Sequence, residues 1–313
     1  MKRFLKIIAI YVIVILTITI FLWRWMALQP NRYSLLSHEI NLRHQLDRIT
    51  TIHEPKIIFI GGSGCAFGLC SPMIHEHYQI PVVNTGTHAG LGLRLQIYLF
   101  MPYISRNDIV VVIPEYAQFK GDYYWGESTI LRIFSSSCYE GYKYLNVRQQ
   151  LHLFKYVPSA YRYARFARSM QGLAPENPYA AEALNEFGDV ERYEFRKHQT
   201  MKNGGEDLDK NSFVQDKVID LLSDFNRYCE EKGATMLLFP PTYRDVAFEK
   251  NADQITEIWE ALSAHNLPII SSPENYELPD SLFFDSDYHL TYEGVVVRTN
   301  KLISDLDPLH LIP

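Results

Sequence analysis

Residues 7–23 form a run of seventeen uncharged residues, most of them Ile, Val, Leu and Phe, and no other feature constrains the chain as strongly. As a helix rising ~1.5 Å per residue the run would cover about 26 Å, close to the hydrocarbon thickness of a bilayer. Its β-branched residues would also suit a buried strand pair, but no turn residue interrupts it. Lys2, Arg3 and Lys6 precede the run, and Trp23 and Trp25 close it. The positive-inside bias then puts the amino terminus in the cytoplasm, the tryptophans at the far interface and the remaining chain on the extracytoplasmic side. The exit "RWMALQPN" lacks a small-x-small cleavage site, so residues 1–28 read as a retained single-pass anchor rather than a signal peptide.

The chain has 313 residues, 47% of them apolar, enough for one large domain or two small ones with a proper core. A net charge of -6 without clustered Lys and Arg argues against a sequence-independent nucleic-acid partner. Cys65, Cys70, Cys138 and Cys229 are too few for a disulfide scaffold. Spacing leaves a bridge between Cys65 and Cys70 open, while C-x4-C without a second pair gives no zinc site. No metal or other cofactor is expected.

Residues 29–55 carry Leu35, Leu36, Ile40, Leu42, Leu46 and Ile49 at roughly helical spacing and read as an amphipathic juxtamembrane helix. From residue 56 onward, strands alternate with helices. "KIIFIGG", "IPVVNTG" and "DIVVVIP" are β-branched runs ended by Gly or Pro, and the segments between them suit crossover helices. The alternation lapses over about 116–210, where Tyr, Phe and Arg crowd together, and this stretch reads as a helical insertion. It resumes with a helix over 211–232 stopped by Gly233, a strand "ATMLLFPP", a helix over about 253–265, "LPIIS", and a last helix near Thr291. The best linker candidate is "KNGGEDLDKN" at 202–211. The expected fold for residues 56–313 is an α/β domain with an open parallel sheet covered on both faces. Ligands of such sheets bind beyond the carboxyl ends of the strands, where "GGSGCAFG", "NTGTHAGLG" and "PEYAQF" all fall.

Ser63 follows the first expected strand between Gly62 and Gly64. Glycines permit the tight turn that exposes a nucleophilic hydroxyl, and the next helix would aim N–H groups at developing negative charge. A plain βα turn with packing glycines explains the loop equally well. A phosphate cradle does not, because no Gly-Lys-Ser/Thr follows and the glycines read G-x-G-x-x-x-G. His289 tips the balance toward chemistry: it follows Asp285 and Asp287 and precedes the last helix. A serine nucleophile needs a base, and an imidazole base needs a carboxylate to fix its tautomer.

With "FIGGSGCAFG", "VVNTGTHAG" and "DSDYHLTYEG" the chain resembles the SGNH or GDSL-type hydrolases. It most resembles their membrane-anchored branch, similar to proteins of teichoic-acid D-alanyl transfer and alginate O-acetylation. The resemblance implies a flavodoxin-like parallel sheet and an acyl-enzyme mechanism. Ser63 would be the nucleophile and His289 the general base, with Asp285 or Asp287 orienting it, Asp285 being favoured. The Ser63 N–H and that of Gly90, or else Gly86, would hold the oxyanion. The sequence departs from the family pattern in three places. Gly62 stands where the family has Asp, Ser286 breaks the Asp-x-x-His spacing, and "IPEYAQF" replaces Gly-x-Asn-Asp. With no Asn there, Asn84 or a backbone N–H would complete the oxyanion hole, and Glu115 is either a solvated loop carboxylate or a substrate contact.

The resemblance thus implies a serine esterase or O-acyltransferase acting on O-acyl groups of a cell-envelope polysaccharide, with a membrane-bound acyl-donor partner. The competing reading is a non-catalytic protein of this fold that binds glycan or a membrane partner. In the insertion, aromatic and Arg side chains either line a glycan groove or pack helices. His75 and His77, at i and i+2, point to different helix faces, and His88 reads as a loop histidine bonded to backbone.

Overall fold

The computed structural model describes residues 1–201, 205–208 and 212–310. Six parts of the expected linker, residues 202–204 and 209–211, lie outside the described residues. Helix α1 (Lys2–Ala27) carries the apolar run and buries none of its side chains. The expected juxtamembrane helix is broken in two, α2 (Arg32–Leu36) and α3 (Asn41–Ile49). The break is at Ser37, which is extended, bridges Ala180, and accepts the Glu39 N–H to start a 3-10 turn.

The α/β core begins with β1 (Ile57–Gly61), α4 (Ser63–Ala66), α5 (Ser71–Tyr78), β2 (Val82–Asn84), α6 (Leu93–Phe100) and β3 (Ile109–Ile113). The insertion follows, with α7 (Ser128–Phe134), α8 (Val147–Phe154) and α9 (Val157–Ala167). Its helices end at Ala167, and among the described residues the chain from there to α10 holds only 3-10 turns, isolated β-bridges and irregular backbone. Helix α10 (Asp216–Lys232) ends at Gly233 as expected. After it come β4 (Thr235–Leu238), β5 (Tyr243–Arg244), α11 (Asp245–Lys250), α12 (Ala252–Ser263), β6 (Glu277–Leu278) and α13 (Tyr292–Leu306).

Four strands pair in parallel in the order β2-β1-β3-β4, and β5 pairs with β6 separately. "LPIIS" adds only a single parallel bridge, Ile269 to Leu238, before the chain turns away at Pro273. Every residue of β1 and β3 is buried, as continuous apolar runs in a two-sided parallel sheet must be. Alternation along the strands divides the core. Ile58, Ile60, Val110 and Val112 face α6, α10 and α12, whereas Ile57, Phe59, Val111 and Ile113 face α5 and α13. The insertion helices extend the first of these layers through Leu131, Leu153 and Val157. At the amino ends of β1 and β3, buried Lys56 and Asp108 pair at 2.8 Å. The carboxyl ends are left to the glycine loops.

Candidate active site

Ser63 opens α4 directly after β1, half-buried among buried neighbours. Its turn is held from three sides. Arg298 of α13 donates from Nη1 to the Gly64 carbonyl at 2.5 Å. The Gly64 N–H donates to Glu115 Oε1 at 3.1 Å. The Asn84 amide beneath the turn donates to the Cys65 carbonyl at 3.0 Å. Two of the loop's glycines are required by this crowding. A Cβ at Gly62 would collide with the Glu115 carboxyl, and one at Gly68 with the Arg298 guanidinium. Glu115, from the loop after β3, thus fills the space that a side chain at position 62 would need.

His289 comes from the loop before α13, 226 residues further along the chain. Its Nε2 lies 2.9 Å from Ser63 Oγ, and its Nδ1 lies 2.9 Å from Asp285 Oδ1. A carboxylate only accepts, so Nδ1 carries the proton and Nε2 is free to accept from the serine hydroxyl. Between the two acids, the Ser286 hydroxyl accepts the His289 N–H at 3.1 Å and turns the loop back. Asp287 faces away. Its carboxylate accepts from Arg244 Nε at 2.5 Å and from the Glu206 N–H at 2.5 Å, so of the two candidate acids Asp285 alone meets His289.

Tyr179 and Phe67 meet the imidazole, and Arg196 stands behind Phe67. The Tyr179 hydroxyl donates to Asp285 Oδ2 at 2.7 Å and lies 3.0 Å from His289 Nδ1. Burial and the Asp285 charge push that hydroxyl far up, so it stays protonated and donating. Phe67 stacks on the ring at 4.3 Å with 17° between planes. Arg196, buried and lying over Phe67, donates to the carbonyls of Val190, Phe67 and Leu290. Phe67 stands inside the serine block and was visible as part of it, whereas Tyr179 and Arg196 belong to the irregular end of the insertion.

The oxyanion candidates are brought to the same rim, but their donors are in use. The Gly90 N–H donates to His88 Nδ1 at 2.9 Å, and burial holds that imidazole near pKa 4, hence neutral and able to accept. The Gly86 N–H donates to Asn84 Oδ1 at 3.0 Å. The Asn84 amide, besides Cys65, reaches Asp189 at 2.7 Å under the loop and does not point at the serine. The Ser63 N–H has no partner among the described residues. Glu115 is buried rather than solvated, and desolvation raises its carboxyl to about 7, opposed by the Gly64 hydrogen bond and helped by Glu206. A cavity of about 600 Å³ adjoins the acid side of the site, lined by Glu206, Arg244, Asp285 and Asp287 among others, and Ser63 is not in its wall.

Among the described residues no group of three or more His, Cys, Asp and Glu is placed to hold a metal ion. His75 bonds the Ile80 carbonyl and His77 pairs with Asp307, each locally. The four cysteines are free thiols, so the Cys65 to Cys70 bridge is not formed. No protein-family model matches the chain, and no curated protein matches it.

Proposed function

We propose that the chain is a membrane-anchored, extracytoplasmic serine esterase or O-acyltransferase of SGNH type, acting on O-acyl groups of an envelope polysaccharide. The observation that carries this reading is the unbroken hydrogen-bonded series Ser63–His289–Asp285 at the carboxyl end of a parallel sheet. The strand order 2-1-3-4, with the site beyond β1, supports a flavodoxin-like core, since ligands of that order bind at the β1/β3 crevice. Helix α1, long and apolar enough to cross a bilayer, supports the anchor.

In the reaction, Ser63 Oγ attacks the ester carbonyl while its proton passes to His289 Nε2. Asp285, held by Tyr179, stabilises the imidazolium. The tetrahedral oxyanion takes the Ser63 N–H, and the Gly90 N–H once it leaves His88. His289 then gives its proton to the departing sugar oxygen, leaving an acyl-serine. Water restores the enzyme as an esterase, and a second sugar hydroxyl makes it a transferase, each surrendering its proton to His289, which returns it to Ser63 Oγ as the acyl–oxygen bond breaks. In the second case the acyl group would come from a membrane-bound donor protein, whose own leaving group would then take the His289 proton in place of the sugar oxygen.

A non-catalytic glycan-binding protein of this fold is the second reading, favoured by the donors of Gly64, Gly90 and Asn84 being occupied. Hydrolysis of p-nitrophenyl acetate by the full chain in detergent separates the two. Ser63→Ala and His289→Ala should each lower kcat/KM on the order of 10⁴-fold, and a fluorophosphonate should label Ser63. A parent protein that neither hydrolyses the ester nor takes the label would support the binding reading.

A further inference from the structure

Helices α8 and α9 present a face that the catalytic arrangement does not use. On α8, Val147, Leu151 and Phe154 recur at i, i+4 and i+7, the first two 73% and 72% exposed, and on α9 Phe166 is 75% exposed. Large apolar side chains this bare on two consecutive helices mark a surface that something else covers. The charge is one-sided. Residues 141–175 hold six Lys and Arg and no Asp or Glu, in a chain whose net charge is -6. Of the six, Lys155 lies 3.6 Å from Asp122, which is exposed, and Arg168 donates to the amide oxygen of Gln29.

The position of this face relative to α1 selects its occupant. The Trp23 ring stacks on Phe154 with centroids 4.0 Å apart, and Trp25 meets Tyr161 at 5.6 Å. These two tryptophans close the apolar run, at the level where α1 would leave the hydrocarbon. Helices α8 and α9 are therefore fixed to α1 at the depth of the headgroups. A cavity of about 560 Å³ opens on the same side, walled by Ile20, Trp23, Leu151 and Phe154 with Arg24 and Lys143, and no carboxylate lines it. Aliphatic and aromatic residues flanked by basic ones are what a helix lying in the interface of an anionic bilayer requires.

We infer that α8 and α9 lie in the extracytoplasmic headgroup layer of the membrane that α1 spans, with Leu151 and Phe166 below the phosphates and the arginines on anionic lipid. The inference rests on the anchor proposed above. It gives the domain two membrane attachments instead of one, and so a fixed orientation rather than free rotation about a tether. The chain that leaves α9 leads to Tyr179, so the seated surface is joined directly to the acid limb of the site.

The test uses the full chain in nanodiscs of phosphatidylcholine and phosphatidylglycerol. Cys65, Cys138 and Cys229 are buried, with thiols pushed up to about 12, so Cys70→Ser leaves a background without reactive cysteine. Single bimane labels are placed through Leu151→Cys, Phe166→Cys, Ile13→Cys and Val297→Cys. Val297 is exposed on α13, across the sheet from the insertion. Nitroxide near the lipid headgroup should quench the labels at 151 and 166 several-fold more than the label at 297, and nitroxide near the acyl-chain end should quench that at 13. Labels at 151 and 166 no more quenched than at 297, with 13 quenched, would overturn the inference, leave the anchor standing and point to a protein cover. An unquenched label at 13 would overturn the anchor itself.

Discussion

Ser63 divides the site into two flanks that are built differently. On the imidazole flank, hydroxyl, imidazole, carboxylate and phenol are joined at 2.7–3.0 Å, and Phe67 fixes the ring plane. On the oxyanion flank, the N–H groups of Gly64, Gly86 and Gly90 and the amide of Asn84 all serve internal partners. Proton transfer is therefore organised in advance, whereas charge stabilisation starts with the Ser63 N–H alone. A missing oxyanion donor costs on the order of 10²–10³-fold in kcat, so under the proposed function the second flank, not the first, sets the rate.

The largest contrast lies within the terminal loop. Asp285→Asn should lower kcat on the order of 10³–10⁴-fold with little change in folding, because it frees His289 to take the wrong tautomer. Asp287→Asn should leave kcat within a few-fold but lower thermal stability by about 2–4 kcal/mol, since buried Arg244 loses one of its two carboxylates. Ester kinetics and thermal melts on both variants measure the contrast, and a reversed pattern would move the acid role to Asp287.

Glu115 gives a pH signature. Its carboxyl sits near 7 when folded against 4.5 for an ordinary glutamate, so the stability tied to the neutral form is complete below about pH 4.5 and is lost as pH rises through 7. By pH 8 the loss should reach about 3 kcal/mol, and Glu115→Gln should abolish it while still accepting the Gly64 N–H. Asp189, raised by burial to about 6, contributes its own fall between 3.8 and 6 in both proteins. Urea melts from pH 5 to 8 read the difference. Parallel curves would assign the titration elsewhere.

Smaller effects follow on each flank. Tyr179→Phe removes one hydrogen bond from Asp285 and should reduce kcat roughly tenfold, with KM unchanged. His88→Ala releases the Gly90 N–H and should leave kcat equal to the parent's or up to a few-fold higher. A large drop in the second variant would show that the imidazole itself handles substrate.

Legibility in the sequence followed the range of the interactions. Strands β1 and β3 were read almost to the residue because a two-sided sheet demands unbroken apolar runs, and Gly and Pro mark their ends. Helix α13 begins where Thr291 caps it, by a bond to the Gly294 N–H three residues on. The break in the juxtamembrane helix leaves no mark in the local sequence, because it depends on Ser37 pairing with Ala180, far away in the chain. Irregular backbone after Ala167 has no periodicity to detect, and Tyr179 lies within it.

Sequence by itself determined the apolar amino-terminal helix, the strands β1 to β4, and the positions of Ser63 and His289 at or next to helix starts. Each depends on neighbours within a few positions: apolar runs, caps and turn glycines act locally. The tertiary structure alone decided that Asp285 and not Asp287 meets the imidazole, that Tyr179 supports it, that Glu115 excludes a side chain at Gly62, and that the oxyanion donors are occupied. Those choices turn on hydrogen bonds of 2.7–3.1 Å between segments up to 110 residues apart, and only packing of the whole domain brings the segments together.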